Sequence, residues 1–95
     1  MEFDSIEAVR HEIDRLDSQL VALIARRGSC VKAAAAFKKD SDAVRAPDRV
    51  QQVVDKVRKQ AVEQGLSGDI IEQVYRAMIA AFIEYELQQH RDLQA

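Results

Sequence analysis

The sequence predicts an all-α fold of three helices, one long, one short and one of medium length, in a single domain over residues 1–95. Three observations carry that expectation. Only three Gly and one Pro interrupt the 95 residues, and the good helix formers Ala, Leu, Gln, Glu, Lys and Arg are plentiful. Apolar side chains recur at helical spacing, and the period-two alternation of a strand is missing. Hydrophobic residues make up 47% and charged ones 32%, a balance that supports a packed core rather than a disordered chain.

The first helix is expected over about 5–39. Ile6, Ile13 and Leu20 form one seven-residue series, continued by Arg27 and Ala34. Val9, Leu16 and Leu23 form a second, continued by Cys30 and Phe37. The two together make an a/d pattern. Asp4 or Ser5 can cap the start, with Glu7 in the first turn. DSDAVRAP breaks the pattern and reads as a loop over 40–46. A second helix, about 47–64, begins at Pro47, a residue suited to the first helical position, and stops at Gly65. Val50, Val53, Val54 and Val57 form its apolar stripe. Ser67 caps a third helix over about 68–90, which carries Ile71, Val74, Tyr75, Met78, Ile79, Phe82 and Tyr85 on one broad core-packing face and frays beyond Leu87.

Length then bears on assembly. A first helix of about 35 residues rises about 52 Å, whereas a compact chain of this size is roughly 32 Å across. Such a helix would carry its apolar stripe out of a monomer into water. An intertwined helical homodimer is the expected remedy.

Composition narrows the partners. The formal net charge is −2 and the pI about 5.6, so the chain has no electrostatic reason to seek nucleic acid or an anionic membrane. The single Cys30 excludes an internal disulfide or a Cys-based metal cluster. MEFDSIEAVR lacks the apolar h-region of a signal peptide, and no stretch approaches the ~20 apolar residues of a membrane span. A cytoplasmic location is expected.

The cations pose the functional question. Arg27 occupies an a position, and on one continuous helix Lys38, eleven residues later, points within about 20° of it, about 16 Å along the axis. Two such side chains suit a small dianion held between them. A buried cation needs a counter-charge, from a protein carboxylate or from a ligand. The plainer alternative is that Arg27 snorkels from the seam or pairs with a glutamate. Arg10 lies about 25 Å from Arg27, too far to share one small ligand within a chain, although in an antiparallel dimer it approaches the Arg27 of the other chain. Arg45 and Arg49 flank the start of the second helix, an end that favours anions, and Arg adds a bidentate fork for carboxylate. Glu86, seven residues after Ile79 and four after Phe82, falls on the inward face; the alternative is a solvated glutamate near a frayed end. His11 and His90 read as surface residues, Cys30 as a small core residue, and Arg26, Lys32 and Lys39 as solvated flanks, of which Lys32 and Lys39 add positive field.

Taken together, Arg10, Arg27, Lys38, Arg49 and Glu86 on three helices resemble the all-helical chorismate mutase family. The resemblance covers essentially the whole chain: VRHEIDRLDSQLVALIARR, VKAAAAFK, the loop, and DRV at the start of the second helix. Within the family, VRAPDRV looks most like the isochorismate-pyruvate lyases, the salicylate-forming members. The resemblance implies an intertwined homodimer with two identical sites, Arg10 coming from one chain and Arg27, Lys38, Arg49 and position 86 from the other. These cations would bind the carboxylates and ether oxygen of a chorismate-like dianion, with Lys38 and the loop closing over it. No cofactor is implied. A pericyclic reaction needs the substrate held in its reactive conformer and cations where negative charge grows on the breaking ether.

Two departures from the family's pattern bear on substrate. Mutases of the family usually place acidic residues, which hold the C4 hydroxyl of chorismate, where this chain has Ala46 and Val50. A hydroxyl buried without partners costs about 1–3 kcal/mol; isochorismate carries its hydroxyl at C2, so the loss favours a lyase. The family also commonly shows Gln at position 86. Glu86 can donate to the ether oxygen only when protonated, so kcat/KM is expected to decline with rising pH and Glu86→Gln to flatten the profile. The rival from another class is a non-catalytic helical dimerisation module.

Overall fold

In a computed structural model the described residues are 2–38 and 40–94, without the side chains of Ser41, His90, Leu93 and Gln94. Lys39 and the side chain of His90, both named above, lie outside them. Among the described residues there are four helices: α1 (Ile6–Ala35), α2 (Ser41–Arg45), α3 (Pro47–Glu63) and α4 (Gly68–Gln94). Among the described residues there is no strand, and no helix is long and apolar enough to cross a membrane. The chain divides into two compact units, one ending at Ala33 and the other starting at Ala34.

In the first unit, Ser5 rather than Asp4 caps α1: its Oγ accepts from the Ala8 N–H at 3.1 Å and its carbonyl from Val9 at 3.2 Å. No residue of α1 is buried. Of the two apolar series, Ile6, Ile13, Leu16, Leu20 and Leu23 are exposed and Val9 is half-buried. Cys30, expected as a small core residue, is exposed as well. A groove beside the first turns is lined by Phe3, Glu7, Ala8, His11, Glu12 and Arg15. It holds none of the predicted site residues. A hydrogen bond from Arg15 holds the Glu12 carboxyl below the usual carboxylate range.

The helix stops at Ala35, four residues short of the expected 39. The Phe37 and Lys38 N–H groups donate to Ala34 and Ala35 at 3.0 and 3.1 Å, the tightened last turn by which a helix satisfies its final carbonyls. The physical reason follows in sequence. Asp40 adopts extended backbone and its carboxylate accepts from the Ala43 N–H at 2.9 Å, so it caps a new helix. Residues 40–46, expected as a loop, therefore contain α2. Ala46 then takes a left-handed conformation, φ 36° and ψ 62°, closing α2 and opening α3.

In the second unit α3 packs on α4, and α2 on α4. The α3 stripe narrows to one fully buried side chain, Val54, flanked by half-buried Val50, Val53 and Val57. On α4, Ile71, Tyr75, Met78, Ile79 and Phe82 are half-buried, whereas Val74 and Tyr85 are exposed. The expected broad face is thus narrower, because α3, a single 17-residue helix, covers only one stripe. The turn between them is set by Gly65, at φ +80°: Leu66 N–H donates to Ala61 and Gly65 N–H to Val62, at 2.8 and 3.1 Å. That is the Schellman pattern, which favours a residue without Cβ. Ser67 caps α4, its Oγ accepting from Asp69 N–H at 3.2 Å. α4 continues to Gln94 instead of ending near 90.

Candidate active site

Five of the seven predicted site residues fall in the second unit, and two of these meet. The Lys38 ammonium donates to both oxygens of the Glu86 carboxylate, at 3.1 and 3.4 Å. Lys38 sits three residues past the end of α1 and Glu86 well inside α4. The position of Glu86 follows from helix periodicity, four residues after half-buried Phe82 and on the same side of α4. It is 8% exposed, the one buried charged side chain among the described residues. The Lys38 side chain is 23% exposed. A carboxylate removed from water needs a partner, and Lys38 supplies it. Glu86 is therefore not the solvated glutamate that its nearness to the chain end allowed.

Ala46, Arg49 and Val50 stand together at the start of α3. The Val50 N–H donates to the Ala46 carbonyl at 3.0 Å, so Ala46 orients the first turn. Arg49 is exposed and its guanidinium donates to Gln52 Oε1 at 2.6 Å. That bond lies along the helix surface and leaves the guanidinium further donors. Pro47 at the first helical position lacks an N–H to satisfy.

Arg10 and Arg27 lie in the first unit, on α1; Arg10 is exposed and Arg27 half-buried. Because α1 ends at Ala35, Lys38 is not on the helix of Arg27. The shared-face argument for that pair required one continuous helix and does not hold.

An ammonium has three donors and an ionised carboxylate only acceptors. Lys38 can bond Glu86 and still offer a proton to a ligand oxygen, while Glu86 can donate to one only after gaining a proton. Among the described residues no group of three or more His, Cys, Asp or Glu is placed to hold a metal ion. What the sequence reading missed is the contribution of Asp40 and Val44. Asp40 is an N-cap residue type three residues before Ala43, and Val44 is the one large apolar residue in DSDAVRAP; both signals were present in a stretch too short to show periodicity.

Comparison with known proteins places the chain in a family. A profile of the family described as chorismate mutase type II matches residues 9–87. The isochorismate pyruvate lyase of Pseudomonas aeruginosa is 32% identical over 83 residues, which is 87% of this chain and 82% of that protein. The matched span takes in α2 and α3, most of α1 and α4 as far as Leu87, and so every predicted site residue. The chain belongs to the type II chorismate mutase family, whose members are pericyclic enzymes acting on chorismate or isochorismate.

Proposed function

We propose that this protein is an isochorismate-pyruvate lyase with secondary chorismate mutase activity, a single domain over residues 1–95 working as an intertwined homodimer in the cytoplasm. The supporting observation is the pairing of Lys38 with buried Glu86: a proton donor and a carboxyl group meet where the family resemblance puts the ether oxygen of the substrate. Arg27 and Arg49 of one chain and Arg10 of the other bind the two carboxylates, each as a bidentate fork. Ala46 and Val50 line the side where a mutase needs acids, and present no partner to a C4 hydroxyl. The likeness to the Pseudomonas lyase supports the same choice.

In the proposed reaction the ring hydrogen at the hydroxyl-bearing carbon moves to the enolpyruvyl methylene as the ring–ether bond breaks. The methylene becomes the methyl of pyruvate, the ether oxygen becomes its carbonyl oxygen, and the ring aromatises to salicylate. Lys38 donates to that oxygen as charge grows on it; preorganised donors of this kind are worth about 10²–10³ in kcat. Substrate holding supplies the rest, since a flexible dianion gripped at both carboxylates is kept in its reactive conformer.

Isochorismate and chorismate supplied separately to the purified protein, with salicylate and prephenate followed, test the reading. Salicylate formed faster than prephenate is the expected result. Prephenate without salicylate would make the protein a mutase, and no turnover of either would overturn the enzymatic reading of these residues.

A further inference from the structure

The segment carrying Lys38 is attached to α4 at two places. At one, the Lys38 ammonium bonds Glu86. At the other, α2 packs on α4, and its Val44 is 4% exposed, as deep as the core of the hairpin. Five residues are too few for a helix to hold itself in water. The ends of α2 are tied by the Asp40 cap, and by the Val44 and Ala46 N–H groups donating to Asp40 and Asp42 at 3.1 and 3.0 Å. Around it Asp42 and Arg45 are exposed, and Ala43 and Ala46, half-buried, present only a methyl group each. Val44 is therefore the one large apolar side chain among the described residues of this turn that can carry its docking.

We infer that Val44 is a positioning residue for the proposed reaction: by seating α2 on α4 it holds Lys38 against Glu86 before substrate arrives. The inference rests on the reading of Lys38 as the cation that meets the substrate. Lysine has a flexible four-carbon stem and loses much rotamer freedom when held. A docked α2 close by in the chain removes part of that cost from binding and from the transition state. Val44 touches no substrate; it acts through Lys38.

The experiment compares the full-length protein with Val44→Ala, Val44→Ile and Lys38→Met, and Val44→Ala combined with Lys38→Met. Val44→Ala is expected to lower kcat about tenfold with a smaller change in KM, and Val44→Ile, which keeps a branched apolar side chain, to recover most of the loss. In the Lys38→Met background the same Val44→Ala change is expected to cost less than about twofold, the signature of residues acting through one another. Trypsin applied without ligand should cut after Arg45 several-fold faster in Val44→Ala at unchanged Tm. An equal loss in both backgrounds, or an unchanged cutting rate after Arg45, overturns the inference. A wild-type protein that turns over neither substrate overturns the functional reading instead, and the catalytic meaning of Val44 with it.

Discussion

A carboxylate at 8% exposure on α4 is held there by the ammonium 48 positions earlier in the chain, and their pairing sets what Glu86 can do. As a carboxylate it accepts from Lys38 and has no proton to offer an ether oxygen. Glu86→Gln puts an amide donor in its place, so kcat/KM, measured with the substrate the protein turns over, is expected to change in that variant; an unchanged value would take Glu86 out of the mechanism. The inward placing of Glu86 was legible from its spacing to Ile79 and Phe82. Its partner was not, because an ion pair across 48 positions has no local spacing to read. The same limit explains the misplaced geometry of Arg27 and Lys38, which assumed a helix that ends at Ala35.

At the level of elements, caps and stops decide the fold, and two changes probe them. A Cβ at Gly65 would meet no atom within 4 Å, so space is not the issue. The left-handed backbone is, and Gly65→Ala is expected to cost about 1 kcal/mol in denaturant melts. The second probe is the ion cluster joining α3 to α4. Glu72 accepts from Arg76 at 2.6 Å and from Arg58 at 2.7 Å, and its side chain is 29% exposed. Arg58 also reaches Asp69 at 3.0 Å, but that side chain is 80% exposed and water screens it. Gly68 fits this cluster, since a Cβ there would stand 3.3 Å from the Arg58 guanidinium carbon. The hydrogen bond from Arg76, then that from Arg58, holds the Glu72 carboxyl below its ordinary value of 4.5. A depressed carboxyl stabilises the fold above that ordinary value and loses its contribution as pH falls through the folded one. Glu72→Gln should therefore lower Tm near neutrality, and the gap to wild type should close as pH drops below 4.5. A gap that stays constant would mean that the cluster acts by shape alone. Helix α2 escaped the sequence reading because one and a half turns give no periodicity. Its two signals, a cap at Asp40 and one valine, gain meaning only once α4 is beside them.

For the whole molecule, the question is what the apolar series on α1 is for. None of its 30 residues is buried, and an uncovered stripe of Ile and Leu that long is an interaction surface rather than a solvent-facing one. The proposed homodimer covers it and brings Arg10 of one chain to the cations of the other. Complementation tests this. Arg10→Ala and Arg27→Ala should each be nearly inactive alone. If each site takes Arg10 from one chain and Arg27 from its partner, mixing and refolding the two in equal amounts should restore about a quarter of wild-type sites. No recovery on mixing, with dimers present in sedimentation, would place both arginines in sites built from one chain.

Helix class, a cap at Asp4 or Ser5, the cap at Ser67, the stop at Gly65 and the inward placing of Glu86 on α4 were determined by the sequence itself, because each depends on side chains within one or two turns. The end of α1 at Ala35, the existence of α2 and the bond between Lys38 and Glu86 were decided by tertiary structure. There a good local helix former, the AAAAFK stretch, competes with a cap at Asp40 and a burial site for Val44. The contacts that settle that competition come from α4, which packs on α2 and whose Glu86 lies 48 positions after Lys38.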